Sequence, residues 1–333
     1  MGPPPFIAVC DRRDSILGMV PNTHQAELRH AAELLRQDRL VAFPTETVYG
    51  LGANALSAAA VAKIFEAKGR PHTSPLIVHV GSPEGAREVV SVFPPAAFEL
   101  MDRFWPGPLT LVLPKQSLVP DIVTAGLATV GVRMPAHPLA LALLRESGLP
   151  LAAPSANRFT ELSPTTAEHV RQSLGDRVDF ILDGGPCTVG IESTVLSLVT
   201  HKATILRPGG VSRAEIEEVL GTIAISTEAQ EGAHASPGQH AKHYSPRTHM
   251  LLSDAGEVPR DGRGVYLRIS RDPRRESTIR QMPDNPRDYA VELYRVLHEC
   301  DAEGFDWIAA EQPPSTEEWE AVLDRLRRAA SSG

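Results

Sequence analysis

Short apolar runs alternate with helical stretches through the first two-thirds of the chain, and this alternation is the strongest constraint on its fold. Runs such as 40–43 and 129–132 have the length and composition of buried strands. The helical stretches carry end signals, as where Ser57 is the predicted N-cap and Gly69 the predicted C-terminal stop. About seven strands are expected. Because several connections are too short for a crossover helix, we predict an α/β domain with a twisted sheet of mixed parallel and antiparallel strands and covering helices.

Two further helix starts follow from capping residues. Thr23 precedes a helical pattern of leucines and alanines and is the predicted N-cap of the first helix. Ser163 is the predicted N-cap of a later helix, because Pro164 suits the first helical position.

The composition changes between residues 222 and 247, where a polar, proline-containing stretch has no sustained apolar period. Beyond it, apolar runs and two helical stretches predict a smaller α/β domain. We therefore divide the chain into an N-terminal arm (1–22), a large α/β domain (23–221), a linker or lid (222–247) and a small C-terminal domain (248–333).

The composition also excludes several classes of protein. The 333 residues contain no apolar run that could cross a membrane and no secretory signal at the N-terminus, so we expect a cytoplasmic protein. A net charge of −8 and 5% aromatic residues disfavour a general nucleic-acid coat. The three cysteines are far apart and lack the spacing of a zinc site.

Small polar residues concentrate at predicted strand ends, in the segments 44–50, 68–74, 154–157 and 184–194. Open α/β sheets bind ligands at such ends, where loops present backbone amides and short side chains. The segment 44–50 is equally compatible with an ordinary turn. The third contains Ser155, but no nucleophile elbow of the Gly-x-Ser-x-Gly kind occurs, so binding is favoured over covalent catalysis.

Four cations suggest a pocket for an anion. Arg133 and Arg207 each end an apolar strand, where a lone guanidinium needs an anionic partner. Lys68 and Arg70 flank a predicted helix terminus, which is also where cations occur for capping alone. No Walker-type phosphate loop is present. Together these cations predict one anion-binding site in a protein of negative net charge.

Several of these segments resemble the YrdC-like family. The matching motifs are FPTETVYGLGAN (43–54), KGRP (68–71) with PLIVH (75–79), WPGPLT (105–110), VRMP (132–135), APSAN (153–157) and LRPG (206–209). The motifs SPG (236–238) and HYSP (243–246), and the domain that follows, are similar to the long, two-domain form of the family. The resemblance covers residues 23–246 in unbroken order and is weaker over 247–333.

The resemblance implies an enzyme that joins L-threonine, bicarbonate and ATP to give threonylcarbamoyl-AMP and pyrophosphate. The family's product serves tRNA modification, through a downstream threonylcarbamoyltransferase as partner. Magnesium is the implied cofactor, carried by ATP with no protein ligand expected. Neither stable tRNA binding nor a membrane partner is expected.

The resemblance assigns the family's site positions to individual residues of this sequence. The residues that match the family's threonine-binding positions are Thr47, His79, Arg133, Ala153 (through its backbone) and Ser193. Those that match the ATP-binding positions or complete their motifs are Lys68, Arg70, Ser74, Thr129, Ser155, Asn157, Ser163, Arg207 and Tyr244. Glu46 and Tyr49 receive no role.

Two other functions remain open from sequence. A concave sheet with a basic pocket also suits an RNA-binding module, although the acidic charge and few aromatic residues disfavour it. The same YrdC-like core occurs in carbamoyltransferases of the hydrogenase-maturation kind, which add cysteine-rich zinc modules that three scattered cysteines do not build.

Overall fold

Two separate β-sheets divide the protein into a large and a small domain. The computed structural model describes residues 22–226, 244–253, 259, 261–270 and 278–330. Most of the predicted N-terminal arm and residues 227–243 of the predicted linker lie outside these ranges. None of the described helices has the length and apolar character needed to cross a membrane.

The helices are α1 (Asn22–Arg36), α2 (Ala58–Lys68), α3 (Pro95–Phe104), α4 (Asp121–Thr124), α5 (Pro138–Ser147), α6 (Ala167–Leu174), α7 (Arg213–Leu220), α8 (Pro286–Glu303) and α9 (Glu320–Ala330). The strands of the large domain are β1 (Val41–Phe43), β2 (Gly50–Asn54), β3 (Ile77–His79), β4 (Leu109–Pro114), β5 (Thr129–Arg133), β6 (Leu151–Ala152), β7 (Phe180–Ile181), β8 (Thr194–Ser197), β9 (Thr204–Arg207) and β10 (Ala224–Ile225). Those of the small domain are β11 (His249–Ser253), β12 (Gly264–Arg268), β13 (Thr278–Gln281) and β14 (Trp307–Glu311).

The large sheet has ten strands in the order β10-β9-β8-β4-β5-β3-β6-β2-β1-β7, with parallel and antiparallel pairs mixed. The predicted mixed α/β architecture is therefore confirmed. The small domain is a parallel sheet in the order β11-β14-β12-β13, packed with α8 and α9. Ser57 and Gly69 cap α2 as predicted.

Several local predictions were wrong. Strand β2 was not predicted, because its glycines hide the apolar period. The helix predicted at Ser163 begins instead at Ala167, with Thr166 as its N-cap, because the carbonyl of Pro164 accepts a hydrogen bond from the amide of Tyr49. Thr23 lies inside α1 and does not cap it. Strand β10 falls in the range assigned to the linker but pairs with β9, so the sheet continues beyond residue 221.

Helices cover the large sheet unevenly. One face is packed along its length by α2, α3 and the apolar side chains of the central strands. On the other face, α1 and α5 cover only the end that contains β1 and β6. The remaining part of that face carries the small cluster Ile77, Val112 and Val195, and two cavities lie against it.

The two domains share one apolar cluster. Val48, Leu162 and Ile191 of the large domain pack with side chains of the small domain, including Leu293 of α8. The backbone at Gly190 packs directly against α8. A Cβ atom there would lie 2.4 Å from the carbonyl oxygen of Ala290, so only glycine fits this contact.

We predict that Gly190→Ala lowers the free energy of unfolding by about 2–5 kcal/mol, the sum of a left-handed backbone penalty and overpacking against α8. Gly185→Ala is the matched control, because Gly185 has the same φ of +78° and no atom within 4 Å of the added Cβ. The control should lose only about 1–2 kcal/mol. Urea denaturation of both variants measures the difference, and equal losses would contradict the contact.

Candidate functional site

A cavity that is open to solvent lies at the part of the large sheet that α1 and α5 leave uncovered; the space within it, including open solvent, is about 540 Å³. Its lining residues are Thr45, Thr47, Val48, Gly50, Arg70, Ile77, His79, Arg133, Ala153, Pro154, Ser155, Glu192, Ser193, Arg207 and Tyr244. Most of the residues predicted for threonine and ATP are among them.

Strand alternation explains how several of these side chains meet. On β3, Val78 packs into the core, so Ile77 and His79 face the cavity. On β5, Val132 points into the core and Arg133 away from it. Strand pairing places His79 beside Arg133. Two residues 54 positions apart in the sequence thus lie side by side at one sheet end.

A β-bulge brings Arg207 to the same wall. Along β8 and β9, Val195 pairs with Arg207 but Leu196 pairs with Ile205, so β9 carries one extra residue. In a regular strand Arg207 and Ile205 would share a face. The bulge separates them: Ile205 packs into the core and Arg207 reaches the cavity.

Arg133 is buried and held on three sides. Its Nε donates to the carbonyl oxygen of Gly107 at 3.1 Å, and its Nη1 donates to Oγ1 of Thr47 at 3.0 Å. Its Nη2 lies 2.6 Å from Oε1 of Glu46, an ion pair that the sequence did not assign. The other carboxylate oxygen of Glu46 accepts from the amide of Ala136. The planar guanidinium is thereby fixed in one orientation at the cavity wall.

The loop that carries Thr47 is fixed by its own side chains. Thr45 donates its hydroxyl to the carbonyl of Val48 at 2.6 Å and lies 2.8 Å from the hydroxyl of Thr47. Tyr49, also unassigned from sequence, is fully buried and donates to the carbonyl of Gly185 at 2.8 Å. Tyr49 therefore fastens this loop to the segment 184–194, and its role is structural.

His79 is a neutral imidazole. Burial, with the nearby charge of Arg133, lowers the pKa of His79 to about 3. Its ring packs edge-on against Phe43, and its buried Nδ1 has no hydrogen-bond partner among the described residues. His79 lines the cavity, and a neutral imidazole there can donate one hydrogen bond and accept another.

Arg70 and Arg207 give the other side of the cavity a positive charge. Arg70 donates through Nη2 to the hydroxyl of Ser74 at 2.6 Å and to the carbonyl of Pro75 at 3.1 Å. Burial lowers the pKa of Arg70 to about 10. Tyr244 acts in the opposite direction, and the charge of Arg207 adds to the lowering. Arg207 donates through Nη2 to the carbonyl of Ser193 at 2.8 Å. Arg70 therefore remains charged at neutral pH, and a wall with two guanidinium groups favours an anion.

The remaining predicted residues lie behind the wall. Lys68 donates from Nζ to the carbonyl of Ser155 at 2.6 Å and to that of Asn157, so it holds the turn that presents Ser155. Asn157 donates to the carbonyls of Arg158 and Glu161, which shapes the same turn. Burial and the charge of Arg70 lower the pKa of Lys68 well below its usual value.

Ser74, Ser163 and Thr129 also do not line the main cavity. Ser74 accepts from Arg70, and Ser163 donates its hydroxyl to Glu192 at 2.6 Å. Thr129 lines a smaller neighbouring cavity of about 300 Å³, which shares Ile77 with the main one.

Glu192 lines the cavity but was not predicted as a site residue. The segment 184–194 was flagged for its polar character, and Glu192 directly precedes the predicted Ser193. Among the described residues no group of three or more histidine, cysteine, aspartate or glutamate side chains is arranged to hold a metal ion.

Comparisons with known proteins match both domains. A family model described as "Telomere recombination" (Sua5_yciO_yrdC) covers residues 33–209, and one described as "Threonylcarbamoyl-AMP synthase, C-terminal domain" covers residues 211–331.

Relatives match over nearly the whole chain. A threonylcarbamoyl-AMP synthase of Bacillus subtilis is 43% identical over 93% of this chain and 94% of its own length. One of Pyrococcus abyssi is 40% identical over 95% of this chain and 97% of its own. The crystal structure of P. abyssi Sua5 complexed with L-threonine superposes with a TM-score of 0.85, at 40% identity over 92% of this chain and 94% of that one. The chain therefore belongs to the Sua5/YciO/YrdC family, in the two-domain form that carries the Sua5 C-terminal domain.

Proposed function

We propose that this protein is an L-threonylcarbamoyladenylate synthase, which converts L-threonine, bicarbonate and ATP into threonylcarbamoyl-AMP and pyrophosphate. The observation that carries the proposal is the division of one cavity into two chemically different ends. One end offers Arg133, Thr47 and His79, and the other offers Arg70 and Arg207. The names of the B. subtilis and P. abyssi relatives support the same activity.

The end around Arg133 suits an amino acid. A guanidinium fork pairs with a carboxylate, and Arg133 is already oriented by Gly107, Thr47 and Glu46. Neutral His79 and the hydroxyls of Thr47 and Ser193 supply the small polar contacts that an amine and a hydroxyl need. The L-threonine complex of the P. abyssi protein supports this assignment.

The end around Arg70 suits a triphosphate. Arg70 and Arg207 lie near the turn that presents Ser155, which Lys68 holds from behind. Magnesium fits as a cation carried by the phosphates, because the one carboxylate of the wall, Glu192, is engaged by other side chains. When bound there, it would neutralise part of the phosphate charge.

The proposed chemistry needs positioning more than a nucleophilic side chain. The amine of threonine adds to the carbon of bicarbonate and water leaves, which gives N-carboxy-threonine. A carbamate oxygen of this intermediate then attacks the α-phosphorus of ATP, and the bond from that phosphorus to the bridging oxygen of pyrophosphate breaks. Arg70 and Arg207 stabilise the charge that develops on the phosphates, while Arg133 holds the threonine carboxylate. Tyr244 lines the cavity and is almost fully buried, so it helps to exclude water from the labile product.

This activity would place the protein among the nucleotidyltransferases. Its product is a reactive mixed anhydride, so a downstream tRNA threonylcarbamoyltransferase is the proposed consumer. We propose no stable tRNA contact by this chain, since its net charge of −8 gives no general attraction to RNA.

We predict that the purified protein forms threonylcarbamoyl-AMP, detected by mass spectrometry, only when L-threonine, bicarbonate, ATP and magnesium are all present. Pyrophosphate release should follow the same requirement, because adenylate transfer needs both the amino acid and its carbamate. Omission of one component at a time provides the controls. Pyrophosphate release that is unchanged without threonine would contradict the proposed reaction.

We predict that Arg133→Ala weakens L-threonine binding by about 1.5–3 kcal/mol, the value of a hydrogen bond to a charged group, or roughly 10- to 150-fold. ATP binding should change far less. Arg70→Ala is the reciprocal variant and should weaken ATP binding more than threonine binding. Isothermal titration calorimetry measures both ligands for both variants.

Removing Arg133 leaves Glu46 buried without its ion pair, so stability needs its own control. Arg133→Lys keeps a positive charge beside Glu46 but loses the planar fork. This variant should melt closer to the unaltered protein and still bind threonine weakly. The assignment of the two ends is wrong if Arg133 variants affect ATP more than threonine.

A further inference from the structure

Glu192 lies where the cavity meets the small domain. Its side chain lines the cavity and is almost fully buried. From the large domain, the hydroxyl of Ser163 donates to its Oε1 at 2.6 Å. From the small domain, Nε of Arg325 donates to its Oε2 at 2.7 Å, and the hydroxyl of Tyr294 lies 3.2 Å from the same oxygen. The carboxylate is thus held from both domains at once.

Besides Glu192, Arg325 contacts two other residues next to or in the cavity wall. It is on α9, and its side chain is completely buried. Its Nη2 donates to the carbonyl of Pro208, the residue after Arg207, at 3.0 Å. Its guanidinium also lies over the ring of Tyr244, 5.1 Å from the centroid. One side chain therefore touches the segments that bear the candidate nucleotide-binding residues Arg207 and Tyr244, and also Glu192 of the cavity wall.

A second contact from α8 acts on the same segments. The ring nitrogen Nε2 of His298 lies 3.1 Å from the carbonyl oxygen of Ser163, and Tyr294 packs 6.0 Å from Tyr244. Among the residues that the structure describes between 245 and 330, none lines the cavity itself. Within the described residues, the small domain therefore acts on the site indirectly, through its contacts with residues of the cavity wall and their neighbours.

Both members of the buried pair are ionised. Burial alone would raise the pKa of Glu192, but the charges of Arg325 and Arg207 and the hydrogen bond from Ser163 lower it. Burial would likewise lower the pKa of Arg325, but Glu192 and the other acidic neighbours hold it well above its usual value. A buried ion pair adds little stability over apolar packing, but it fixes one geometry, because any other arrangement leaves a buried charge without a partner.

We propose that Arg325 is a positioning residue for the nucleotide: through Glu192, Pro208 and Tyr244 it makes the small domain part of the ATP site without lining it. The inference rests on the proposed function, since it assigns ATP to the Arg70 and Arg207 end. The threonine end differs, because Arg133 is held by Thr47, Glu46 and Gly107 of the large domain alone.

The charge of Glu192 gives a reason why loss of Arg325 should affect ATP binding in particular. Beside Arg325 this carboxylate is compensated. Without Arg325 its negative charge would be offset only in part, by Arg207, at the wall that is to receive a triphosphate. Loss of Arg325 should therefore weaken ATP binding by electrostatic repulsion as well as by lost positioning.

The test compares Arg325→Met with Arg327→Met, a matched control on the exposed face of the same helix. Steady-state kinetics at varied ATP and varied L-threonine should show the KM for ATP raised about 10-fold in Arg325→Met. The KM for threonine, and kcat at saturating ATP, should stay within about threefold, and Arg327→Met should match the unaltered protein. A purely structural role would instead lower the amount of active enzyme and leave both KM values unchanged.

Two more variants keep the test decisive if Arg325→Met does not fold. Arg325→Lys keeps the charge, so its KM for ATP should lie between those of the unaltered protein and Arg325→Met. In Arg325→Met combined with Glu192→Gln the buried charge is gone, so melting should return towards normal. Because positioning is still lost, ATP should bind at least about fivefold more weakly in calorimetry.

The proposal is overturned if the double variant binds ATP as tightly as the unaltered protein, or if ATP and threonine affinities fall equally. An unaltered protein that forms no threonylcarbamoyl-AMP would instead overturn the proposed function. Formation of product by the unaltered protein, together with unchanged ATP affinity in the Arg325 variants, would overturn the role of Arg325 alone.

Discussion

Buried positive charge is the constraint on which the site depends. Lys68, Arg70, Arg133 and Arg207 are each at most 5% exposed. A cation so far from water is tolerated only where fixed acceptors replace its hydration. The large sheet and its loops supply those acceptors, chiefly as carbonyl and hydroxyl oxygens, so the geometry of the loops and the charge of the cavity are set together.

The acceptors differ from one cation to the next, and this difference gives the cavity its two ends. Arg133 has a carboxylate partner in Glu46, whereas no carboxylate of the described residues forms an ion pair with Arg70. Arg133 is therefore locally compensated, and in the proposed function it would recognise a carboxylate by shape and orientation. The side that contains Arg70 keeps an excess of positive charge, which suits a more highly charged ligand.

A buried charge is also held by a fixed partner across the boundary between the two domains. Glu192 is compensated by Arg325, a residue 133 positions away in the sequence. The apolar cluster that joins the domains brings these two charges together and excludes water from them. The cavity wall and the domain interface are thus parts of one buried polar network, in which each member depends on the others.

The mixed α/β architecture, the smaller second domain and most of the residues that line the cavity could be predicted from sequence patterns and family motifs. These features are local: apolar period, cap residues such as Ser57 and Gly69, and short contiguous motifs around Thr47, Arg70 and Arg133. The helix start assigned to Ser163 was wrong because Pro164 bonds to a distant residue, Tyr49, which no local pattern reports.

Sequence patterns did not show which polar residues face the cavity and which lie behind its wall, because this depends on long-range packing. The bulge at Arg207 depends on how two strands pair, and the roles of Glu46, Tyr49 and Lys68 depend on partners remote in the chain. The contact of Arg325 with Glu192 depends on how two domains pack. A sequence records which side chains are available, but the partner that compensates a buried charge is set by three-dimensional packing.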